Sequence, residues 1–322
     1  MRSGQINDVQ VIRVPLRSKF RGVTFREALI FKGSERYAEF SPFLDYEDQE
    51  ASTWLKAAFE FANMPLAKPA REKIEINATL PAVSESDISK VLEPFGSFST
   101  VKIKVAEKGQ DLEDDISRIL RTNRLYPHSK IRLDANGGFS VDQATALLQK
   151  LEHLPIEYFE QPVATIEDLV ELRFLMKSRG LSVKIAADEL IRKASDPTLV
   201  AESGAVDIAV LKVQPLGGIK NSLEIANRMD LEPVVSSALE TSLGISQGLF
   251  LASQLPNLNY ACGLGTVSLL ESDIAKNPLI PVNGFLNVQE IELDQEAVSE
   301  LAVDGERRDF WHRRLDRCLE LL

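Results

Sequence analysis

The sequence predicts an α/β fold, a parallel-stranded barrel carrying a smaller α+β lobe at its N-terminal side. Three observations predict it. From about residue 74 onward short apolar strands alternate with amphipathic helical runs, the pattern of parallel βα units. Eight such strands can be marked, the number that closes a barrel. No GxGxxG stands between a strand and a helix, and Gly217-Gly218 is a lone pair, so the rival open sheet lacks its dinucleotide-binding fingerprint. The chain length of 322 residues suits a barrel of about 250 residues plus a small lobe.

The lobe comes first. VQVIRVP (9–15), REALIFKG (26–33) and RYAEFSP (36–42) read as strands, and DQEASTWLKAAFEFAN (48–63) as an amphipathic helix. The stretch from Pro65 to Pro69 marks a crossing, which gives a first unit of residues 1–73. The barrel, residues 74–284, takes its strands from 74–82, 101–105, 130–135, 156–161, 183–189, 207–213, 232–238 and 259–265. Helical patterns fall at 111–123, 141–153, 165–178, 218–229 and 242–255. Residues 285–322 end in the amphipathic run RRDFWHRRLDRCLELL and are expected to pack back on the lobe or on the barrel's outside.

Composition narrows the function classes. Lys plus Arg number 37 against 48 Asp plus Glu, a net charge of −11 with no basic block, which argues against nucleic acid or an anionic membrane as partner. Cys262 and Cys318 are far apart and have no CxxC partner, so neither a disulfide framework nor a thiolate zinc site is indicated. MRSGQINDVQVIRVP lacks the apolar stretch of a secretion signal, and no run reaches the roughly 18 apolar residues of a membrane helix, so the expectation is a soluble cytoplasmic protein.

Functional groups of such a barrel sit at the C-terminal ends of its strands. Lys102 and Lys104, Asp134, Glu160, Asp188 and Lys212 stand there, and from Lys104 onward the steps are 30, 26, 28 and 24 residues, one βα unit each. Asp134, Glu160 and Asp188 would therefore be neighbours in one mouth. Three carboxylates in a low-dielectric site repel one another strongly unless a cation neutralises them. Oxygen-only ligation suits a hard divalent ion, Mg²⁺ or in its place Mn²⁺. Lys104 and Lys212 flank that ion on opposite sides, an arrangement suited to removing a proton α to a carboxylate, since the nascent enolate needs a cation as it forms. The substrate class is thus a small-molecule carboxylate. Lys102 lies two residues before Lys104 on the same strand face and is equally placed to act as base or to orient the substrate. Arg132, two before Asp134, is a candidate substrate contact or a structural ion pair, and Asn136 a hydrogen-bonding supporter or a loop cap. His128, His153 and His312 fall in helix or loop positions, which leaves a histidine triad without support.

VKIKV, LDAN, FEQP, ADE and LKVQPLGG, in this order and spacing, resemble the enolase superfamily in its muconate-lactonizing-enzyme subgroup over nearly the whole chain. The resemblance implies a (β/α)7β TIM-like barrel with a capping lobe. It also implies metal ligation by Asp134, Glu160 and Asp188, Lys104 as the base and Lys212 as the lysine opposite. Leu190 and Val213 depart from the Ser and Pro common in the family after the third ligand motif and the second lysine. FRGVTFREALIF, AEFSPFLDY and SSALETSLGI resemble the o-succinylbenzoate synthase branch, which implies a dehydration through an enediolate in menaquinone biosynthesis. By the same resemblance Ser18 to Gly22 form a cap loop over the substrate, and Ser237, Glu240, Gly263 and Gly265 line its succinyl side. An N-succinylamino acid racemase fits the same site. A metal-independent Schiff-base aldolase and a non-enzymatic scaffold are the readings from other classes. The oligomeric state is not legible.

Overall fold

The computed structural model describes residues 6–194 and 196–322; the first five residues of the expected lobe and of the leader reading lie outside them. Strands β1 (Asn7–Phe20), β2 (Val23–Lys32) and β3 (Tyr37–Phe40) form an antiparallel meander. Arg21 and Gly22, both at positive φ (49° and 78°), make the tight turn between the first two, directly after the Phe20–Val23 pair. Helix α1 (Asp48–Asn63) covers the sheet because Ala51, Trp54, Leu55, Ala58 and Phe61 recur every three or four residues and form one apolar face. That face closes a core with Leu29, Phe31 and Phe40.

The repeat follows: β4 (Lys73–Glu75), β5 (Ala78–Leu80), α2 (Ile88–Leu92), β6 (Thr100–Lys104), α3 (Leu112–Leu125), β7 (Lys130–Asp134), α4 (Val141–Lys150), β8 (Ile156–Glu160) and α5 (Ile166–Ser178). It continues through β9 (Lys184–Ala187), α6 (Glu189–Arg192), α7 (Leu199–Glu202), β10 (Ile208–Leu211), α8 (Ile219–Arg228), β11 (Glu232–Val235) and α9 (Ser242–Gln254). Strands β5 to β11 form one parallel sheet in chain order. Alternation sorts their side chains: Val101, Ile103, Ile131 and Leu133 face the helices, and Lys102, Arg132 and Asp134 the interior. Helices α3 and α4 begin on capping boxes, Asp111 with Asp114 and Ser140 with Gln143, which set where each βα connection turns back.

Two sequence expectations change here. The expected first barrel strand, 74–82, is broken: β4 pairs with β12 (Phe285–Asn287), and only β5 joins the barrel sheet. The expected last strand, 259–265, forms isolated bridges instead of a ladder. It still closes the curl. Gly263 N donates to Val235 O (2.8 Å) on one edge, and Cys262 N to Glu75 O (2.6 Å) on the other. Gly263 and Gly265 explain the short pairing, because a Cβ would stand 2.6 Å from Ser236 Oγ at the first and 2.8 Å from Ile76 Cγ2 at the second.

The chain finishes with α10 (Gln295–Glu300) and α11 (Gly305–Glu320). Trp311, Leu315 and Cys318 of α11 complete the core around Trp54 and Phe40. The buried Glu27 carboxylate accepts from Arg13, Arg307 and Trp311 Nε1. No helix of the described residues is long and apolar enough to cross a membrane.

Candidate active site

Strand register builds the site. Lys104 pairs with Asp134 and Asp134 with Glu160 across β6, β7 and β8, so all three stand at one level of the barrel. β9 stops one residue before Asp188 and β10 one before Lys212, which continue that level around the mouth. All five side chains are buried or nearly so.

Charges of both signs alternate there. Lys102 Nζ donates to Glu160 Oε1 and Oε2 at 3.1 and 3.0 Å and lies 3.4 Å from Asp134 Oδ2. Lys104 Nζ is 3.8 Å from Asp134 Oδ1, outside hydrogen-bond reach. Lys212 Nζ donates to Asp188 Oδ2 at 2.5 Å. Arg192 Nε lies 3.3 Å from Asp188 Oδ1, though not aligned for a hydrogen bond. Burial pushes Glu160 up to about 7, with Lys102 opposing and the Asp134 and Asp188 charges adding to it. Burial acts the same way on Asp188, but Lys212 and Arg192 outweigh it and hold that carboxyl far below the usual range. Burial disfavours the charge on Lys102, yet Glu160 and Asp134 keep it well above an ordinary lysine.

The residues fit a hard cation. Their donors are carboxylate oxygens only, and Asp188 Oδ1 is buried without a hydrogen-bond partner. With the lysine ammonium groups reaching among them, no three acidic, His or Cys side chains of the described residues are gathered around one point. Backbone register nonetheless aligns Asp134 with Glu160.

The mouth is roofed by the lobe of β1–β3 and α1. Phe20, Arg21, Tyr46 and Trp54 face Lys102, Asp134 and Lys212 across one cavity. Tyr46 Oη accepts from both Arg21 (2.7 Å) and Arg192 (3.0 Å), tying roof to barrel.

Comparison with known proteins agrees with this architecture. Residues 11–62 match the family described as enolase N-terminal domain-like, and residues 88–295 the enolase C-terminal domain-like family. The o-succinylbenzoate synthase of Mycobacterium leprae is 44% identical over 318 residues, 98% of this chain and 93% of that protein. That of Thermobifida fusca is 41% identical over 303 residues, 94% and 93% of the two chains. The chain belongs to the o-succinylbenzoate synthase family, within the enolase superfamily. Solved structures agree on the fold. The muconate lactonizing enzyme of Pseudomonas fluorescens superposes with a TM-score of 0.77 at 18% identity, covering 92% of this chain and 99% of that one. An N-succinyl Arg/Lys racemase from Bacillus cereus gives 0.73 at 19%, covering 93% and 98%.

Of the other residues singled out from sequence, Ser237 and Gly263 line the cavity, and Ser237 Oγ lies 2.7 Å from Thr266 Oγ1. Asn136 also lines it, its backbone N–H on Asp134 Oδ1 and its amide on Glu189. Two expectations change, and of the two readings of Arg132 the structure shows the ion pair. Gly265 is a close-packing position against Ile76, Phe95 and Pro281. Glu240 is not among the residues lining the cavity; its buried carboxylate accepts from the Ala238 N–H at 2.6 Å. Arg132 does not line the cavity, although it pairs with Lys102, which does, at the same level of the barrel. Its guanidinium binds Glu157, Asn77 and the Ala261 carbonyl and stacks on Tyr158. The sequence reading held Arg21 within its cap loop, Ser18 to Gly22, without singling it out, and overlooked Tyr46, Trp54 and Arg192. Arg192 carried a usable signal, its i,i+4 spacing from Asp188.

Proposed function

We propose that the chain catalyses the o-succinylbenzoate synthase reaction, the syn-dehydration of 2-succinyl-6-hydroxy-2,4-cyclohexadiene-1-carboxylate to o-succinylbenzoate in menaquinone biosynthesis. One observation carries it: two lysines from opposite sides of the barrel meet three carboxylates at one buried mouth. Asp134, Glu160 and Asp188 would hold Mg²⁺, or Mn²⁺ in its place, which when bound stabilises negative charge growing on the substrate carboxylate.

The chain's own residues do the proton work. Lys104, the amino group of the KxK pair without a carboxylate hydrogen bond, removes the proton α to the carboxylate. Lys212 stabilises the resulting enediolate by its charge. Protonated Lys104 then returns that proton to the departing hydroxyl on the same face, so water leaves and the ring becomes aromatic. Lys102 is occupied by both oxygens of Glu160 and acts as an orienting cation. Lys212 Nζ is engaged by Asp188 Oδ2 at 2.5 Å, whereas a Schiff-base aldolase needs a lysine nitrogen free to attack a carbonyl. Arg21 has neutral partners, the Tyr46 hydroxyl and the Phe43 ring, so it brings a free positive charge to the roof, where it meets the succinyl carboxylate. The unit boundaries at 73 and 284 and a cytoplasmic location, which the two buried free cysteines suit, belong to the same reading.

Purified protein is expected to dehydrate the cyclohexadiene substrate with Mg²⁺, to stop with EDTA and to recover with added Mg²⁺. Metal-dependent racemisation of N-succinylamino acids without dehydration would move the function to the racemase, and inactivity in both assays would leave a scaffold. Arg21→Met is expected to raise KM about tenfold to a hundredfold, the worth of one hydrogen bond to a charged group, with kcat changed less. A lowered kcat at unchanged KM would remove Arg21 from substrate binding.

A further inference from the structure

Glu39 lies outside the catalytic cavity, yet it joins the roof to one of the cavity's walls. It stands on β3, 3% exposed, and crosses to the first turn of α9. Its Oε2 accepts from Thr241 Oγ1 at 2.5 Å and from the backbone N–H groups of Thr241 at 3.1 Å and Gly244 at 3.2 Å. Amides at a helix start have no partner within the helix and the dipole there favours an anion. Here the anion is supplied from 202 residues away.

The segment just before Thr241 is the wall. Ser236, Ser237, Ala238 and Leu239 line the cavity without belonging to a helix or strand ladder. Leu239 holds φ at +64°, a conformation that costs a non-glycine residue about 1 kcal/mol or more and persists only where the surroundings enforce it. The roof provides that enforcement. Arg26 of β2 donates from Nε to the Leu239 carbonyl at 3.3 Å, and Glu39 fixes Thr241 two residues on. Both groups are fully buried: burial pushes Glu39 up to about 7 and brings Arg26 down to about 10.

We infer that Glu39 is a positioning residue which, by binding the first turn of α9, holds the Ser236–Leu239 wall in shape, so that the cap moulds the barrel's pocket besides covering it. Its effect reaches substrate through Thr241 and the wall. The kinetic arm of its test rests on the proposed dehydration; the exchange arm does not.

The test is hydrogen exchange on the full chain, read by mass spectrometry, for wild type, Glu39→Ala and Glu39→Gln. Glutamine keeps one acceptor oxygen and is the variant to rely on if alanine folds poorly. Peptides covering 236–245 should exchange about tenfold faster in Glu39→Ala and less so in Glu39→Gln, while peptides of β6 to β8 keep wild-type protection. With the dehydration substrate, KM should rise in the same order, with kcat changed less. Wild-type exchange at 236–245 in both variants overturns the inference, as does a uniform loss of protection across the barrel. A wild-type protein without dehydration activity defeats the functional proposal alone, since the exchange result still decides the role of Glu39.

Discussion

Lys104→Ala should lower kcat by about a thousandfold, within the 10²–10⁴ that a positioned general base typically contributes. In the proposed mechanism, removal of the α proton and its return to the leaving hydroxyl both pass through this amino group, so no other step would compensate for its loss. Metal binding should persist, because the change deletes a cation 3.8 Å from Asp134 and leaves all three carboxylates in place. Calorimetric titration with Mg²⁺ separates the two effects. Asp134→Asn, by contrast, should lose metal affinity and turnover together. Full turnover in Lys104→Ala would sink the assignment, and an inactive Lys102→Ala beside it would transfer the base to Lys102.

Arg132→Met should cost about 3 kcal/mol of stability while the folded enzyme keeps its turnover. The guanidinium is fully buried and shared among three parts of the barrel: Glu157 on β8 (2.7 Å), Asn77 before β5 (3.0 Å) and the Ala261 carbonyl of the closing segment (2.6 Å). Removing one partner of a buried pair typically costs 3–5 kcal/mol, because the groups left behind stay desolvated. Methionine fills much of the volume and keeps contact with Tyr158 and Tyr260, which favours the lower end. Denaturant unfolding measures the loss. An unchanged midpoint with a raised KM would return Arg132 to the substrate, the other of the two readings its sequence position allowed.

The two readings of Arg132 show where sequence reasoning stops. Alternation gives the face of a strand, so Arg132 and Asp134 were rightly set on one side of β7, but it does not say where a long side chain turns from that face. The metal-ligand candidates escaped that difficulty because Asp134 and Glu160 end their strands and Asp188 directly follows its own, and strand ends share a level once the sheet is in register. Helix α1 was legible to its last residue, since Trp54, Leu55, Ala58 and Phe61 all fall on one face. The helices α6 and α7, four residues each, are too short to display a period, and this left the i,i+4 spacing of Arg192 from Asp188 as its one signal in the sequence. The 259–265 segment has the apolar character of a strand, while its glycines serve close approach. Arg21 and Tyr46 were invisible as a pair because tertiary folding alone brings the roof turn onto the loop after β3.

The roof is assembled from both ends of the chain, and this orders its folding during synthesis. Glu27 leaves the ribosome early with only Arg13 near it in sequence, whereas Arg307 and Trp311 arrive some 280 residues later. Until α11 emerges, the exposed side of the meander lacks Trp311, Leu315 and Cys318, and a carboxylate destined for burial must stay in water. The barrel, whose contacts run mostly between successive units, can form first. The nascent protein is thus expected to have a finished floor before it has a ceiling, and to complete its roof only when the final helix docks.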